Sequence, residues 1–217
     1  MHQFPLKKGL DLPVTGAPLQ SIADGPAIQT VALLGSDYIG LKPRIAVQEG
    51  DTVSAGSPVF AHKDTPDVMV TSPVSGRVKA VNRGARRALI SIEIEVDAKA
   101  ADPVDFSSVG NADTAEGLAE RLAATGLWTS FRTRPYSRVP ASDERPAAIF
   151  VTAMDTEPMT ADPAIIIAEQ RDAFVKGLEA IAKLSEGKTY LCHATGAEVP
   201  GGDVAGVEAA TFSGPHP

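Results

Sequence analysis

The sequence predicts a chain of the α+β or α/β class: a small antiparallel β module followed by an α/β domain. Three observations carry this. Over residues 42–84 short apolar runs are cut at regular intervals by Gly, Pro, Asp and Ser. Residues 89–96, Leu-Ile-Ser-Ile-Glu-Ile-Glu-Val, alternate with period two. Beyond residue 112, apolar strand-like runs at 147–153 and 189–192 flank a stretch of helical periodicity. The expected division is an N-terminal segment, 1–40, packing on both domains, a β module over 41–98, and an α/β domain over 99–217.

In the first 40 residues Lys7–Pro13 reads as an entry strand and turn, Asp24-Gly25-Pro26 as a turn, and Thr30–Gly35 as a short buried strand. The β module then shows two matching halves. Val47, Val53, Val59 and Phe60 lie in the first, with breaks at Glu49-Gly50-Asp51, Gly56 and Pro58. Val68, Val70, Val74, Val78 and Val81 lie in the second, with breaks at Ser72-Pro73, Ser75-Gly76 and Arg83-Gly84. The Glu-Gly-Asp-x-Val-x-x-Gly phrase followed by Ser-Pro-x-Ser-Gly-x-Val resembles the barrel-sandwich hybrid of biotinyl and lipoyl carriers. Such carriers present a lysine on the hairpin between the halves. Lys63 is the only lysine in that hairpin here, and a turn needs polar residues in any case. An exposed turn lysine outweighs a prosthetic arm, so the module is expected to keep the carrier's shape and carry nothing. Arg77, Arg83, Arg86 and Arg87 form a basic turn, solvated or docking an acidic partner or anionic lipid, with solvation favoured. Ile90, Ile92, Ile94 and Val96 are expected on the inner face of the period-two strand.

Residues 99–112 turn rich in Ala, Asp and Ser and lose pattern, which places the domain boundary there. Asp113 then reads as a helix N-cap, with Glu116 three residues on, Leu118 and Leu122 on one face, and Gly126 as the left-handed stop. The continuous run 147–153 predicts a strand buried on both faces. Asp162-Pro163 opens a helix whose stripe is Ile167, Phe174, Leu178 and Ile181, ending at Gly187. Strands follow at 189–192 and 207–212. The chain then stops at Gly214-Pro215-His216-Pro217, which reads as a trimmed or partial sequence.

Bulk properties exclude several functions. A net charge of -7 and pI near 5.1 give a nucleic-acid role no electrostatic support. One cysteine, Cys192, permits neither an internal disulfide nor an iron–sulfur site within the chain, and fits a reducing compartment. No segment reads as a signal peptide. No run approaches the roughly 18 apolar residues of a membrane span, so any membrane is met from the side.

Open α/β sheets bind ligands beyond the carboxyl ends of their strands. That rim offers Asp155, Thr156, Glu157, His193 and the Gly214-Pro215-His216 loop. No glycine-rich turn is placed to cradle a phosphate there, and Asp155 and Glu157 would repel one. The two carboxylates could hold a cation, but a turn carboxylate is favoured. His62, His193 and His216 lack metal-ligand spacing, and Cys192 reads as a buried thiol. The most individual stretch is 126–140. It holds the only tryptophan, Trp128, with Phe131, Tyr136, Arg132, Arg134 and Arg138. Trp128 and Phe131 read as core wedges, the arginines as contact residues for an anion or a partner.

Seven segments together identify a resemblance. They are Lys7-Lys8-Gly9-Leu10-Asp11-Leu12-Pro13, Val31-Ala32-Leu33-Leu34-Gly35, Asn82-Arg83-Gly84, Gly126-Leu127-Trp128-Thr129, Phe131-Arg132-Thr133-Arg134-Pro135, Ala153-Met154-Asp155-Thr156 and Gly214-Pro215-His216-Pro217. In this order they are similar to the amino-terminal half of the A-type subunit in the sodium-translocating NADH:quinone oxidoreductase family. The resemblance implies a peripheral subunit on the cytoplasmic face of the bacterial inner membrane. The assembled complex passes electrons from NADH through FAD, FMN, riboflavin and iron–sulfur centres to ubiquinone and exports sodium. It implies subunits B to F as partners, no redox cofactor in this chain, no catalytic or metal residue, and an isolated fragment without activity. The segments it places near quinone fall on Leu34, Gly35, Tyr38, Ile39, Gly40 and Leu41, and on Phe131, Arg132, Thr133, Arg134, Pro135, Tyr136 and Arg138. Leu41 stands where the family often has Met, a small change for an apolar contact. The family is in turn similar to the flavin-binding subunit of respiratory complex I, so a Rossmann-like second domain is implied. Where that subunit's glycine-rich passage admits FMN, this chain has Thr129-Ser130-Phe131-Arg132-Thr133-Arg134-Pro135, whose side chains fill the space. The competing reading is a flavin- or nucleotide-binding oxidoreductase subunit.

Overall fold

The computed structural model describes residues 2–40, 42–97 and 99–216. Its strands are β1 (His2–Pro5), β2 (Thr30–Leu34), β3 (Pro43–Ile45), β4 (Thr52–Val53), β5 (Pro58–His62), β6 (Thr65–Thr71), β7 (Gly76–Arg83), β8 (Leu89–Val96), β9 (Ala148–Thr152), β10 (Lys188–Ala194) and β11 (Val207–Ser213). Its α-helices are α1 (Ala115–Ala124), α2 (Pro163–Glu169) and α3 (Arg171–Ile181). The residues sort into two compact units. One joins Met1–Gly25 to Arg145–Pro217; the other is Pro26–Glu144.

In the 26–144 unit a four-stranded sheet, β2-β8-β7-β4, and a three-stranded sheet, β3-β5-β6, are both antiparallel. Val53, Val59, Phe60, Val70, Val78, Leu89, Ile92 and Ile94 close the core. The two halves of the module are tied at their turns. The Gly50 amide donates to Val78 O and the Val78 amide to Asp51 O, each at 2.8 Å. The Gly56 amide donates to Ser72 O and the Ser72 amide to Ser57 O, also at 2.8 Å. Gly50 and Gly56, both in the first half, have φ of +91°, so each occupies a left-handed turn.

Ile90 departs from the expected inner face: it is 54% exposed, and Leu89 is buried instead. The β7–β8 ladder slips between Asn82 and Arg83. A slip of one residue exchanges the two faces of a strand.

The unit does not end at the pattern-poor stretch 99–112. The Val104 amide donates to Ala55 O at 2.9 Å, and Phe106 lies over Gly56. Three backbone carbonyls, of Ser107, Val109 and Gly110, accept from the Arg121 guanidinium on α1. Thr71 Oγ1 on β6 donates to Thr125 O at 2.9 Å, just past α1. Helix α1 and the loop beyond it thus pack with the β module in one contact unit, which runs to Glu144. The α1 cap is Thr114, not Asp113, because Thr114 Oγ1 accepts from the Gly117 amide at 3.2 Å. Gly126 follows with φ of +84°.

In the other unit four strands run parallel in the order β1-β11-β10-β9. The expected strand at Lys7–Pro13 is absent; the entry strand is His2–Pro5, paired with β11 from His2↔Ala210 to Pro5↔Ser213. Residues 30–34 pair in the other unit, so the first 40 residues are shared between the two. Asp162 caps α2 by accepting from the Ala164 amide at 2.9 Å, with Pro163 at the first position. The single helix expected from here breaks at Gln170, whose φ of -118° and ψ of 39° are not helical. Ile167, Leu178, Leu191, Val207 and Ala153 form the core, with Phe174 and Val151 against it. Among the described residues the helices cover only that face of the sheet. Phe150 on β9 is 65% exposed, which corrects the expectation of burial on both faces.

Candidate functional site

The 26–144 unit holds a cleft of about 410 Å³, within the range of small-molecule sites. Three pieces of chain wall it. Tyr38, Ile39 and Gly40 form the first, at the end of the turn after β2. Thr129, Arg138 and Val139 form the second, from the loop after α1. Lys42, His62, Asp64, Thr65, Val68 and Val70 form the third, from the β5–β6 hairpin and its neighbour.

Local geometry explains why these meet. Gly35 opens a 3-10 turn over Gly35–Asp37, and any side chain there would strike the Leu89 carbonyl. Tyr38 leaves the turn and meets the core through an edge-to-face contact with Phe60, centroids 5.4 Å apart. Burial, and then the Asp37 carboxylate, hold the Tyr38 phenol above its ordinary value; Arg132 and the nearby Thr129 side chain oppose them. Tyr38 therefore presents a neutral hydroxyl at physiological pH.

The loop after α1 starts at Gly126. Trp128 is 3% exposed, packs edge-to-face on Phe131 at 5.1 Å, and donates through Nε1 to Pro140 O at 3.0 Å. Arg132 gathers backbone carbonyls: Nη1 donates to those of Thr129 and Phe131, and Nη2 to Asp37 O at 3.3 Å. Residues 133–138 close on themselves. The Thr133 amide donates to Arg138 O and the Ser137 amide to Thr133 O, each at 2.8 Å. The closure turns Arg138 to the cleft, and among the described residues no acceptor meets its guanidinium.

The hairpin wall is polar at its rim. His62 Nε2 donates to Gly40 O at 3.1 Å, while its Nδ1 accepts from the Asp64 amide at 3.1 Å, which sets the tautomer. Lys42 Nζ lies 3.4 Å from Asp64 Oδ2. The floor is apolar, from Val68 and Val70. The cleft thus sets a guanidinium and a neutral phenol above an aliphatic floor, with Lys42, His62 and Asp64 at its rim.

The residues singled out from sequence divide accordingly. Tyr38, Ile39, Gly40 and Arg138 line the cleft. Phe131, Arg132 and Thr133 build the loop that forms its wall. Leu34 ends β2, 42% exposed, and Gly35 starts the turn. Arg134, Pro135 and Tyr136 stand exposed at the loop tip, Tyr136 by 75%. Leu41 lies outside the described residues. Sequence reasoning missed the hairpin wall, Lys42, His62, Asp64, Thr65, Val68 and Val70, and Thr129. The hairpin was visible as the place where carriers present a lysine, but nothing in the sequence told that it folds against the loop. Lys63 itself is exposed, and its amide donates to Lys42 O at 2.9 Å.

The sheet rim of the other unit is a set of closed turns. Asp155 accepts from the Glu157 amide at 2.8 Å and the Thr160 hydroxyl at 3.1 Å, and these bonds hold its carboxyl below the usual value. Thr156 Oγ1 is 2.6 Å from His216 Nδ1, and the His216 amide donates to Asp11. Among the described residues no three of His, Cys, Asp and Glu gather as a metal site. Burial raises the Cys192 thiol above its ordinary value.

The fold is a barrel-sandwich hybrid module joined in sequence to a parallel α/β unit, with an open cleft on the module. Comparison with known families agrees. Residues 4–97 match the NqrA N-terminal barrel-sandwich hybrid domain, and residues 113–217 match the NqrA second alpha/beta domain. The chain is 49% identical over 216 residues to the A-type Na(+)-translocating NADH-quinone reductase subunit of Rhodopirellula baltica, covering 98% of this chain and 47% of that protein. It is 50% identical to the corresponding protein of Saccharophagus degradans and 49% to that of Serratia proteamaculans, covering 98% of this chain and 48% of each. The chain belongs to the NqrA family, the A-type subunits of Na(+)-translocating NADH-quinone reductases. It spans about half the length of the curated relatives it matches.

Proposed function

We propose that this chain serves a Na(+)-translocating NADH:ubiquinone reductase as a peripheral scaffold subunit on the cytoplasmic face of the inner membrane. In this reading its cleft contributes to the quinone site. Electron transfer belongs to the flavins and iron–sulfur centres of subunits B to F, and this polypeptide contributes shape and contacts. The second unit is a Rossmann-like domain of the kind found in the flavin-binding subunit of complex I, without its cofactor.

The observation that carries the reading is convergence. The two segments that the family resemblance places near quinone, 34–41 and 131–138, are distant in sequence, yet Tyr38–Gly40 and Arg138 wall one cleft. The quinone carbonyl would accept from Arg138, its ring would lie on Val68 and Val70, and Tyr38 would bound one edge.

A photoreactive ubiquinone analogue with the assembled complex tests this. Labelled peptides are expected from both segments of this chain and from the β5–β6 hairpin, and an excess of unmodified quinone should suppress all three. Labelling confined to other subunits would remove the quinone reading.

A further inference from the structure

The four-stranded sheet of the 1–25/145–217 unit is wholly parallel, yet one of its faces is bare. Helices α2 and α3 cover the face carrying Val151, Leu191 and Val207. The opposite face carries a row of rings. Phe150 on β9 stacks on Tyr190 of β10 at 5.3 Å, and Tyr190 meets His2 of β1 at 6.1 Å. Phe4 of β1 stacks on Phe212 of β11 at 5.2 Å. Phe150 is 65% and Phe4 47% exposed, while small Cys192 and Ala210 lie buried between the rings. Parallel sheets occur almost only with both faces covered, and a contiguous exposed aromatic surface marks a contact.

Handedness says which way the cover arrives. The chain steps from β9 to β10 to β11, and both connections lie on the covered face, since Phe174, Leu178, Val199 and Val204 share its core. Parallel crossovers are right-handed in nearly all cases. A crossover that returns to lay a strand outside β9 must therefore run over the other face. Among the described residues β9 is an edge strand on that side. The relatives supply material for such a return. The matched span takes up 47–48% of their length and begins with the domain described as N-terminal.

We propose that the aromatic face is the seat of the carboxyl-terminal half that the relatives carry beyond the matched span. Its first helix lies across Phe150, Tyr190, Phe4 and Phe212, and its next strand pairs with β9. This holds whatever the cleft of the other unit binds.

A cysteine accessibility experiment tests it. Phe150→Cys is placed in a Cys192→Ala background, and maleimide labelling is timed in this chain alone. It is timed again in a fusion that continues after Pro217 with the remaining half of the Rhodopirellula baltica protein. Lys176→Cys on the solvent side of α3 is the control. Labelling at 150 should slow by more than about tenfold in the fusion while the control does not change. Equal rates in the two proteins would overturn the proposal. So would a rate in the short chain that falls with its own concentration and matches the fusion's, which assigns the face to a second copy. Should the fusion not fold, hydrogen exchange is read on the Rhodopirellula baltica protein at the strand aligned with β9. Protection of a paired strand supports the seat; exchange typical of an open edge overturns it.

Discussion

Arg132 Nη2 donates to the backbone carbonyl of Asp37 at 3.3 Å, joining two segments 95 positions apart. The same guanidinium holds the carbonyls of Thr129 and Phe131, so one planar fork fixes the loop after α1 against the turn after β2. The first and second walls of the cleft are positioned by this clasp.

Arg132→Ala should therefore loosen the cleft more than it unfolds the unit. A net loss of about 1 kcal/mol is expected in urea denaturation. Arg132→Lys should not restore it, because an ammonium cannot reproduce the planar fork. Recovery of full stability by lysine would show that charge alone acts there.

Gly126→Ala meets two obstacles at once. Gly126 has φ of +84°, and an added Cβ would lie 2.7 Å from Thr71 Oγ1. Loss of roughly 1–2 kcal/mol is expected from the left-handed backbone alone, with a further cost as Thr71 shifts from the Thr125 carbonyl. A thermal melt with no change in midpoint would contradict the docking of α1 on β6.

Tyr38 gives a pH signature. Its folded-state value is raised, first by burial and then by Asp37. Protonated phenol is thus favoured by the fold. The stabilisation is fully present below the unfolded value, 10.0, and is lost as pH rises through the folded one. Stability should fall as pH rises past the unfolded value and through the raised folded one in the parent. The fall should be shallower in Tyr38→Phe. Identical alkaline slopes would mean that Tyr38 is not held as the structure shows.

Glu208 links β1 to the sheet. It lies 2.8 Å from Lys188 Nζ and 3.0 Å from His2 Nε2. Lys188, then His2, hold its carboxyl below the ordinary value, 4.5. The contribution is present above the unfolded value and lost as pH falls through the lowered one. Glu208→Gln should speed amide exchange in His2–Phe4 at neutral pH and remove the acid-dependent part of that fraying. Unchanged exchange would show that backbone pairing with β11 alone holds the strand.

The two-part architecture was legible because punctuation and periodicity are local. The Gly50 and Gly56 turns, the Asp162-Pro163 helix start and the Gly126 stop all follow from residues a few positions apart. What failed was non-local. Ile90 faces outward because β7 slips against β8, and a slip leaves no mark on the period of β8 itself. Phe150 sits in an apolar run that predicts two covered faces, but cover is supplied from elsewhere. The stretch 99–112 separates the two matched family spans, 4–97 and 113–217, yet helix α1 beyond it packs with the β module in one contact unit; loss of pattern does not reveal such docking, which Phe106 and Arg121 decide by contact. Of the cleft lining, Tyr38, Ile39, Gly40 and Arg138 lie in the family segments, whereas the hairpin wall was not singled out, because His62 and Asp64 look like ordinary turn residues.

The quinone reading is tested most directly by the fluorescence of Trp128, the chain's only tryptophan, one residue from Thr129 in the cleft wall. A short-chain ubiquinone analogue is titrated into this chain and into Arg138→Ala. The predicted result is saturable quenching in the parent and binding weaker by about tenfold in the variant, the equivalent of one charge-assisted hydrogen bond. Quenching that rises linearly with quinone and is identical in both proteins would contradict a quinone site in this cleft.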